Sequence, residues 1–403
     1  MAELVDARDL KSLGAQAPSG FDSQPGHLLI LALIVLGILI SVGVVPGIFT
    51  VDENNYLINV LALRQGRVTV ANTTGLPPSR ELLFFDPGPW SRGVRTTPVA
   101  STAPPLYAPI ALPFSWMGWR GLVALNTLAF LATTALVFFY ARAYSTEDAT
   151  PWLAAAAFAL GGFGIEYAQG VWPHSLSVAL CTAGVVAAGA LIDDGGPILA
   201  PVAGLLLGLA TGIRYQNAVV LAAVGAAVWL WSSRRWPASV LFGAAALVPL
   251  SISALFNHTR LDSWNPISKG PGYLAVPLAE DSSSSWFDPL VMFWARVVDY
   301  SARPRLTSRA FETWLTYDEG TGAHLIFGVA AKKALLQSAP WAVLALLLFV
   351  AVWFSRYPVP QARRRQLRLL SLVTLALLTA FSLWGVRRDD GLSFNERYLL
   401  EIV

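Results

Sequence analysis

Nine stretches of this chain are apolar over about the ~20 residues a helix needs to cross a bilayer, and that pattern constrains the fold more than any single residue does. They fall at about 28–49, 121–141, 151–168, 173–192, 197–213, 216–232, 237–256, 337–355 and 368–386. The runs are continuous and do not alternate, which selects helices over a β-barrel. Charged residues make up 13% of the 403 residues, against ~25% in soluble domains. The expected fold is therefore an all-α polytopic membrane protein with about nine transmembrane helices. Several spans are rich in Ala and Gly, which suits close helix packing. Tryptophans recur near span ends, as interfacial anchoring would place them.

The loops between spans set the expected orientation. Arg142 follows the second span, Arg234 and Arg235 share one loop, and Arg356, Arg363, Arg364, Arg365 and Arg368 share another. Nine spans with the N-terminus inside put all three on the cytoplasmic side, as the positive-inside rule asks. The same parity sends two long loops, 50–120 and 257–336, to the outer face with Glu166–Ser175, Arg214–Asn217 and the tail from Trp384. Polar residues with chemical potential thus collect on one side. Mid-span positions are nearly free of ionisable groups and no internal repeat is seen, so neither a channel nor a transporter is favoured.

Residues 1–27 are polar and lack an apolar period, which reads as a disordered cytoplasmic tail. The stretch from Met1-Ala2-Glu3-Leu4-Val5-Asp6-Ala7-Arg8 to Gly26-His27 also resembles a translated bacterial transfer-RNA gene. That resemblance implies a bacterial source and a start codon placed too far upstream. No conventional signal peptide is present in this stretch, because the following apolar run is of spanning length. The remaining residues, 28–403, form one transmembrane domain.

The first span ends in Val51-Asp52-Glu53-Asn54-Asn55-Tyr56. A carboxylate this close to hydrocarbon is costly unless it is paired or wet, so two in a row need a reason. One reason is capping of the helix that follows, Glu53–Leu63, at its positive end. The other is a functional role. That helix has Tyr56, Val60 and Leu63 near one face and is expected to lie on the membrane surface. Glu81 and Asp86 are further loop acids, each either a second site carboxylate or a solvated side chain. Pro104-Pro105 is extended and donor-poor, fit to hold a loop rigid before the second span.

Asp52, Glu53 and Tyr56 at the end of a first span, followed by Pro104-Pro105-Leu106-Tyr107, resemble the GT-C superfamily of integral-membrane glycosyltransferases. The nearest branch is the bacterial relatives of protein O-mannosyltransferases and aminoarabinose transferases, with the RgtA/B/C/D-like group. Glu166-Tyr167-Ala168-Gln169-Gly170-Val171-Trp172-Pro173-His174-Ser175-Leu176 is similar to that family's junction between the third and fourth spans. Gly208–Tyr215 is similar to the end of its fifth span, and Phe394-Asn395-Glu396-Arg397-Tyr398-Leu399-Leu400 to a motif after its later spans. The likeness covers roughly residues 28–403. It implies sugar transfer from a polyprenyl-phosphate donor to an outer-face acceptor in the inner (cytoplasmic) membrane. It also implies more spans than are read here, so the chain is expected to be C-terminally incomplete past Val403.

Such a reaction needs a base to deprotonate the acceptor and cations to hold the leaving phosphate. By resemblance the base is Asp52, with Glu53 positioning it or binding the acceptor. Arg214 is the first candidate for the phosphate, because a guanidinium stays charged and binds phosphate bidentately; its alternative is a snorkelling interfacial arginine. Arg397 is the second, or else the ion-pair partner of Glu396. His174 is a donor-binding candidate or a structural interfacial histidine. Tyr56, Tyr107, Glu166 and Glu81 complete the candidates.

Four histidines, scattered, form no ligand cluster. No cofactor is required, although a carboxylate-bound Mg or Mn ion is compatible with the superfamily. The single cysteine, Cys181, sits in an apolar run and leaves no intrachain disulfide. In the second loop, Leu290–Tyr300 reads as another surface helix, and Lys269 beside Gly270-Pro271-Gly272 reads as a solvated turn lysine or a phosphate contact. The expected partners are the lipid-linked sugar, membrane lipid and an unidentified acceptor, without nucleic acid. The alternatives are a flippase for a lipid-linked saccharide and a non-catalytic membrane scaffold of the same fold.

Overall fold

The computed structural model describes residues 24–44, 51–69, 84–85, 100–101, 103–162, 164–268, 305–306, 312–318, 322–328, 331–332, 353 and 361–384. The bundle itself is helical. In chain order its helices are α1 Gln24–Gly43, α2 Val51–Arg64, α3 Tyr107–Ala111, α4 Trp119–Tyr144, α5 Ala149–Leu160, α6 Gly164–Ala168, α7 His174–Ile192, α8 Leu199–Ile213, α9 Ala218–Trp231, α10 Arg235–Leu261 and α11 Gln361–Trp384. Short 3-10 turns at Leu112–Met117 and Tyr215–Asn217 lead into α4 and α9.

Among the described residues, four helices are long and apolar enough to cross a membrane: α1, α4, α7 and α10. α5, α8 and the Tyr215–Trp231 segment are apolar but shorter. The expected span at 151–168 is not one helix. α5 stops at Gly161 and α6 restarts at Gly164, because two consecutive glycines, Gly161 and Gly162, favour the unfolded chain over helix. The span at 337–355 (Trp353 apart), the surface helix at 290–300 and Lys269 lie outside the described residues.

The spanning helices sort their side chains by face. On α1, Leu29, Leu36 and Ile40 are buried, seven and four residues apart and so on one face. Leu31, Ile34, Ile38 and Val42 on its other faces are exposed, as lipid contact requires.

The tightest contact joins α8 to α10. Gly204, Gly208 and Gly212 recur every fourth residue and so share one face of α8. A Cβ at Gly204 would collide with the Phe242 carbonyl; one at Gly208 would come within 2.6 Å of Pro249 and 2.7 Å of the Ala246 carbonyl. Their facing residues, Phe242, Ala246, Pro249 and Ser253, are all buried on α10. Without large side chains between them, the two backbones approach closely and gain dispersion contacts along their length. Asn217 adds a polar tie, its amide donating to Ser177 Oγ at 2.6 Å and to the Ala210 carbonyl at 3.0 Å.

At the other end of α8 the basic loops share one side of the bundle. Tyr144 donates to Asp193 at 3.0 Å, Gln366 donates to Asp193 at 2.6 Å and to the Gly189 carbonyl at 2.8 Å, and Arg365 donates to the Ile192 carbonyl at 2.9 Å. These bonds dock α11 on α7, and Tyr144 of α4 shares the Asp193 carboxyl.

The long loops add strands to the expected helix. Phe84–Phe85 pairs with Ala100–Ser101, Arg305–Leu306 with Ala331–Lys332, and Glu312–Asp318 with Gly322–Gly328, all antiparallel. The last pair is rich in Thr, Trp, Tyr, Ile and Phe, residues that fit a pleated surface.

Candidate functional site

Four of the sequence motifs meet at the Arg214 end of α8. Pro104 and Pro105 are buried, and the Leu106 N–H donates to the Gly212 carbonyl at 3.1 Å. Gly212 has no side chain to keep Leu106 away. The Pro-Pro segment therefore fixes the first loop onto the end of α8. α2 packs on α3 through Val60, Leu106 and Tyr107, all buried in one cluster with Ile213. The apolar face of α2 thus lies on protein and not on lipid, which corrects the expectation of a free surface helix.

Asp52 falls in the first turn of α2. The next residue, Glu53, is 1% exposed, and its Oε1 accepts the Val171 N–H at 3.0 Å. The carboxyl can reach this far because Gly170 has no Cβ; one there would come within 2.6 Å of it. The 166–176 junction is held from the other side by α4: Asn126 donates to the Gly170 carbonyl at 2.8 Å and Thr127 to the Ala168 carbonyl at 3.0 Å. A chain separation of 118 residues between Glu53 and Val171 is thus closed by one buried hydrogen bond.

That bond defines an expected result. Glu53→Ala leaves the buried Val171 N–H without an acceptor and should cost about 1–3 kcal/mol. Glu53→Gln keeps an acceptor oxygen and should cost distinctly less. Thermal unfolding of the detergent-solubilised protein separates the two; equal midpoints would show that the bond does not hold α2 in place.

The aromatic candidates line the same region. Tyr56 meets Tyr107 edge-on, with ring centroids 5.3 Å apart at 74°, a favoured arrangement for aromatic pairs. Tyr107 is 1% exposed. Burial pushes its phenol well above the ordinary value, nearby Asn126 lowers it somewhat, and the Glu53 charge raises it again. Asn126 is beside the hydroxyl, but the pair does not reach a formed hydrogen bond, and the buried oxygen has no partner among the described residues. Tyr107 therefore stays a neutral donor at physiological pH.

His174, at the start of α7, is buried among aromatics: it stacks on Tyr167 at 4.5 Å and meets the edge of Trp172 at 5.2 Å. Glu166 is exposed on α6. Arg214 is 4% exposed, so it is not a snorkelling interfacial arginine. With the Gln216 amide oxygen turned toward it, Arg214 Nε donates at 2.9 Å and Nη2 donates to the same oxygen. Glu81, Arg397 and the 394–400 motif lie outside the described residues.

One residue was absent from the sequence reading. Arg260 lies in the last turn of α10. Its Nε and Nη2 donate to Asn257 Oδ1 at 3.0 and 2.8 Å, and Nη2 reaches the Tyr215 hydroxyl at 3.4 Å. Tyr56 is close enough to act on it electrostatically. No carboxylate pairs with Arg260 among the described residues. Asn257 also donates to the carbonyls of Asn265 and Pro266, and Tyr215 to that of Ser268 at 2.9 Å. The start of the second long loop is thereby tied to the end of α8, beside the first loop.

Chemically, the arrangement offers a guanidinium at Arg260 with no carboxylate partner among the described residues, a buried arginine at Arg214 and two tyrosines near a fixed carboxyl. Among the described residues no three His, Cys, Asp or Glu side chains gather as a metal would need. Compared with protein-family models, curated proteins and solved structures, the chain matches none.

Proposed function

We propose that the protein is a membrane glycosyltransferase that moves a sugar from a polyprenyl-phosphate donor to an acceptor at the Arg214 end of the bundle, in the bacterial cytoplasmic membrane. The observation that carries this reading is Arg260. A guanidinium fixed by Asn257 and Tyr215, with no carboxylate paired to it among the described residues, is suited to hold an anion. At the end of a spanning helix, the anion it suits is a lipid phosphate. The sequence motifs that resemble GT-C enzymes supply the remainder: four of them meet at the same end of α8, and two reach Arg260 through Tyr56 and Tyr215.

In this reading Asp52 takes the proton from the acceptor hydroxyl. The acceptor oxygen then attacks the anomeric carbon from the face opposite the phosphate. The bond from that carbon to the phosphate oxygen breaks, its electron pair leaves with the polyprenyl phosphate, and configuration inverts. Arg260 and Arg214 hold the phosphate as its charge grows. Glu53 acts as a positioning residue: it fixes the helix that carries Asp52. Tyr56 borders the sugar, with the buried Tyr107 packed behind it.

Equilibrium binding of a short polyprenyl phosphate and the matching polyprenol to the purified protein tests the anion site. The phosphate should bind at least tenfold more tightly, about 1.4 kcal/mol. Equal affinity for the alcohol would overturn the reading.

A further inference from the structure

A cavity of ≈ 330 Å³ opens at the end of α8 opposite Arg214, between the connection from α7 to α8 and the connection from α9 to α10. Its polar wall comprises Asp194, Gly195, Gly196, Ser232, Ser233 and Arg234. Asp194 and Arg234 border the same space with opposite charges, yet neither side chain has a partner among the described residues. α10 begins here at Arg235, so its positive end and the N–H groups of Arg235 and Trp236 adjoin the cavity; the first-turn N–H groups of α8 are already bonded to the carbonyls of Gly196, Pro197 and Ile198. Gly196 leaves open space where a Cβ would stand. The rest of the wall is apolar, with Leu191, Pro237 and Leu241. From there, Ile198 just before α8, Leu205 on α8 and Leu241 and Val248 on α10 are exposed apolar side chains, and Trp236 stands exposed at the start of α10 as interfacial tryptophans do.

We propose that this cavity seats the headgroup of a zwitterionic aminophospholipid. The phosphate lies against Arg234, the two serine hydroxyls and the start of α10. The primary ammonium lies against Asp194, and the acyl chains run along the exposed rows of α8 and α10. The two unpaired charges choose the ligand. A purely anionic headgroup meets repulsion from Asp194, and a choline headgroup has no N–H to donate to it. A soluble phosphoethanolamine ester shares the polar chemistry but lacks the chains, so the source of the headgroup can be distinguished.

Native mass spectrometry of the delipidated, detergent-solubilised protein tests this with phosphatidylethanolamine, phosphatidylglycerol, phosphatidylcholine and glycerophosphoethanolamine. Phosphatidylethanolamine should bind about fivefold tighter than the other two lipids, the scale of one exposed ion pair. Asp194→Asn should erase its preference over phosphatidylglycerol. Asp194 has φ 66°, and Asn tolerates that left-handed conformation as Asp does, so the loop is kept. Arg234→Gln should weaken all three lipids. Equal affinities in the wild type, or a preference untouched by Asp194→Asn, would overturn the proposal. Binding of glycerophosphoethanolamine as tight as that of the lipid would also overturn it, by removing the acyl chains from the account.

Discussion

If the proposed glycosyl transfer holds, Arg260→Gln should lower kcat/KM about 10²–10³-fold, the range seen when a preorganised partner of developing charge is removed. The argument starts from geometry. Asn257 and Tyr215 hold the guanidinium in place before any ligand arrives, so little reorganisation is needed as the phosphate gains charge. Glutamine keeps some hydrogen-bonding capacity and loses the charge. Arg260→Lys should fall between the two, because a point charge replaces a planar fork. The fold should survive: Asn257 still donates to the carbonyls of Asn265 and Pro266, and Tyr215 to that of Ser268. Steady-state transfer at matched protein level, beside a melting curve, is the measurement. Unchanged kcat/KM in Arg260→Gln would remove Arg260 from the site.

Gly204→Leu disrupts the bundle itself. Even a Cβ at this position collides with the backbone carbonyl of Phe242, and backbone cannot move aside as a side-chain tip can. Overpacking a tight core costs about 1–3 kcal/mol where rotamers can adjust; here α8 and α10 must separate, so the cost should reach or exceed the top of that range. Gly243 provides the control, since a Cβ there meets nothing within 4 Å. Gly243→Leu should therefore melt close to wild type, while Gly204→Leu is recovered poorly or melts far lower. Similar melting of the two variants would show that the α8–α10 contact does not limit stability.

Much of the bundle could be read from hydrophobic runs, because a membrane-spanning helix is specified by length and composition alone. The break inside 151–168 had a visible signal in Gly161-Gly162, but apolar flanks on both sides outweighed it. The α8 glycines at 204, 208 and 212 were legible as a spacing, though their partner helix was not, since pairing depends on tertiary arrangement. The face of α2 was recognised correctly and assigned the wrong neighbour: Tyr56, Val60 and Leu63 suit lipid and the α3 region equally well.

The candidate site shows the same division. Local motifs located Glu53, Tyr107 and Arg214, and the fold brings their segments together. Arg260 was missed because the span seemed to end at 256, whereas α10 continues to Leu261. The available signal was the spacing of Asn257 and Arg260, three apart on one helical face. Two of the three strand pairs are only two residues long, and the Glu312–Asp318 and Gly322–Gly328 hairpin lacks a sustained polar–apolar alternation that would have marked it.

The central claim is transfer of a sugar from lipid-linked phosphate with Asp52 as base. Its most direct test is transfer of radiolabel from polyprenyl-phosphate mannose, and from a small panel of other polyprenyl-phosphate sugars, in membranes containing wild type or Asp52→Asn at equal level. Loss of a positioned general base costs about 10²–10⁴-fold, so the account predicts label transfer by the wild type with at least one donor and near-background transfer by the variant. Wild-type transfer that persists undiminished in Asp52→Asn would contradict it.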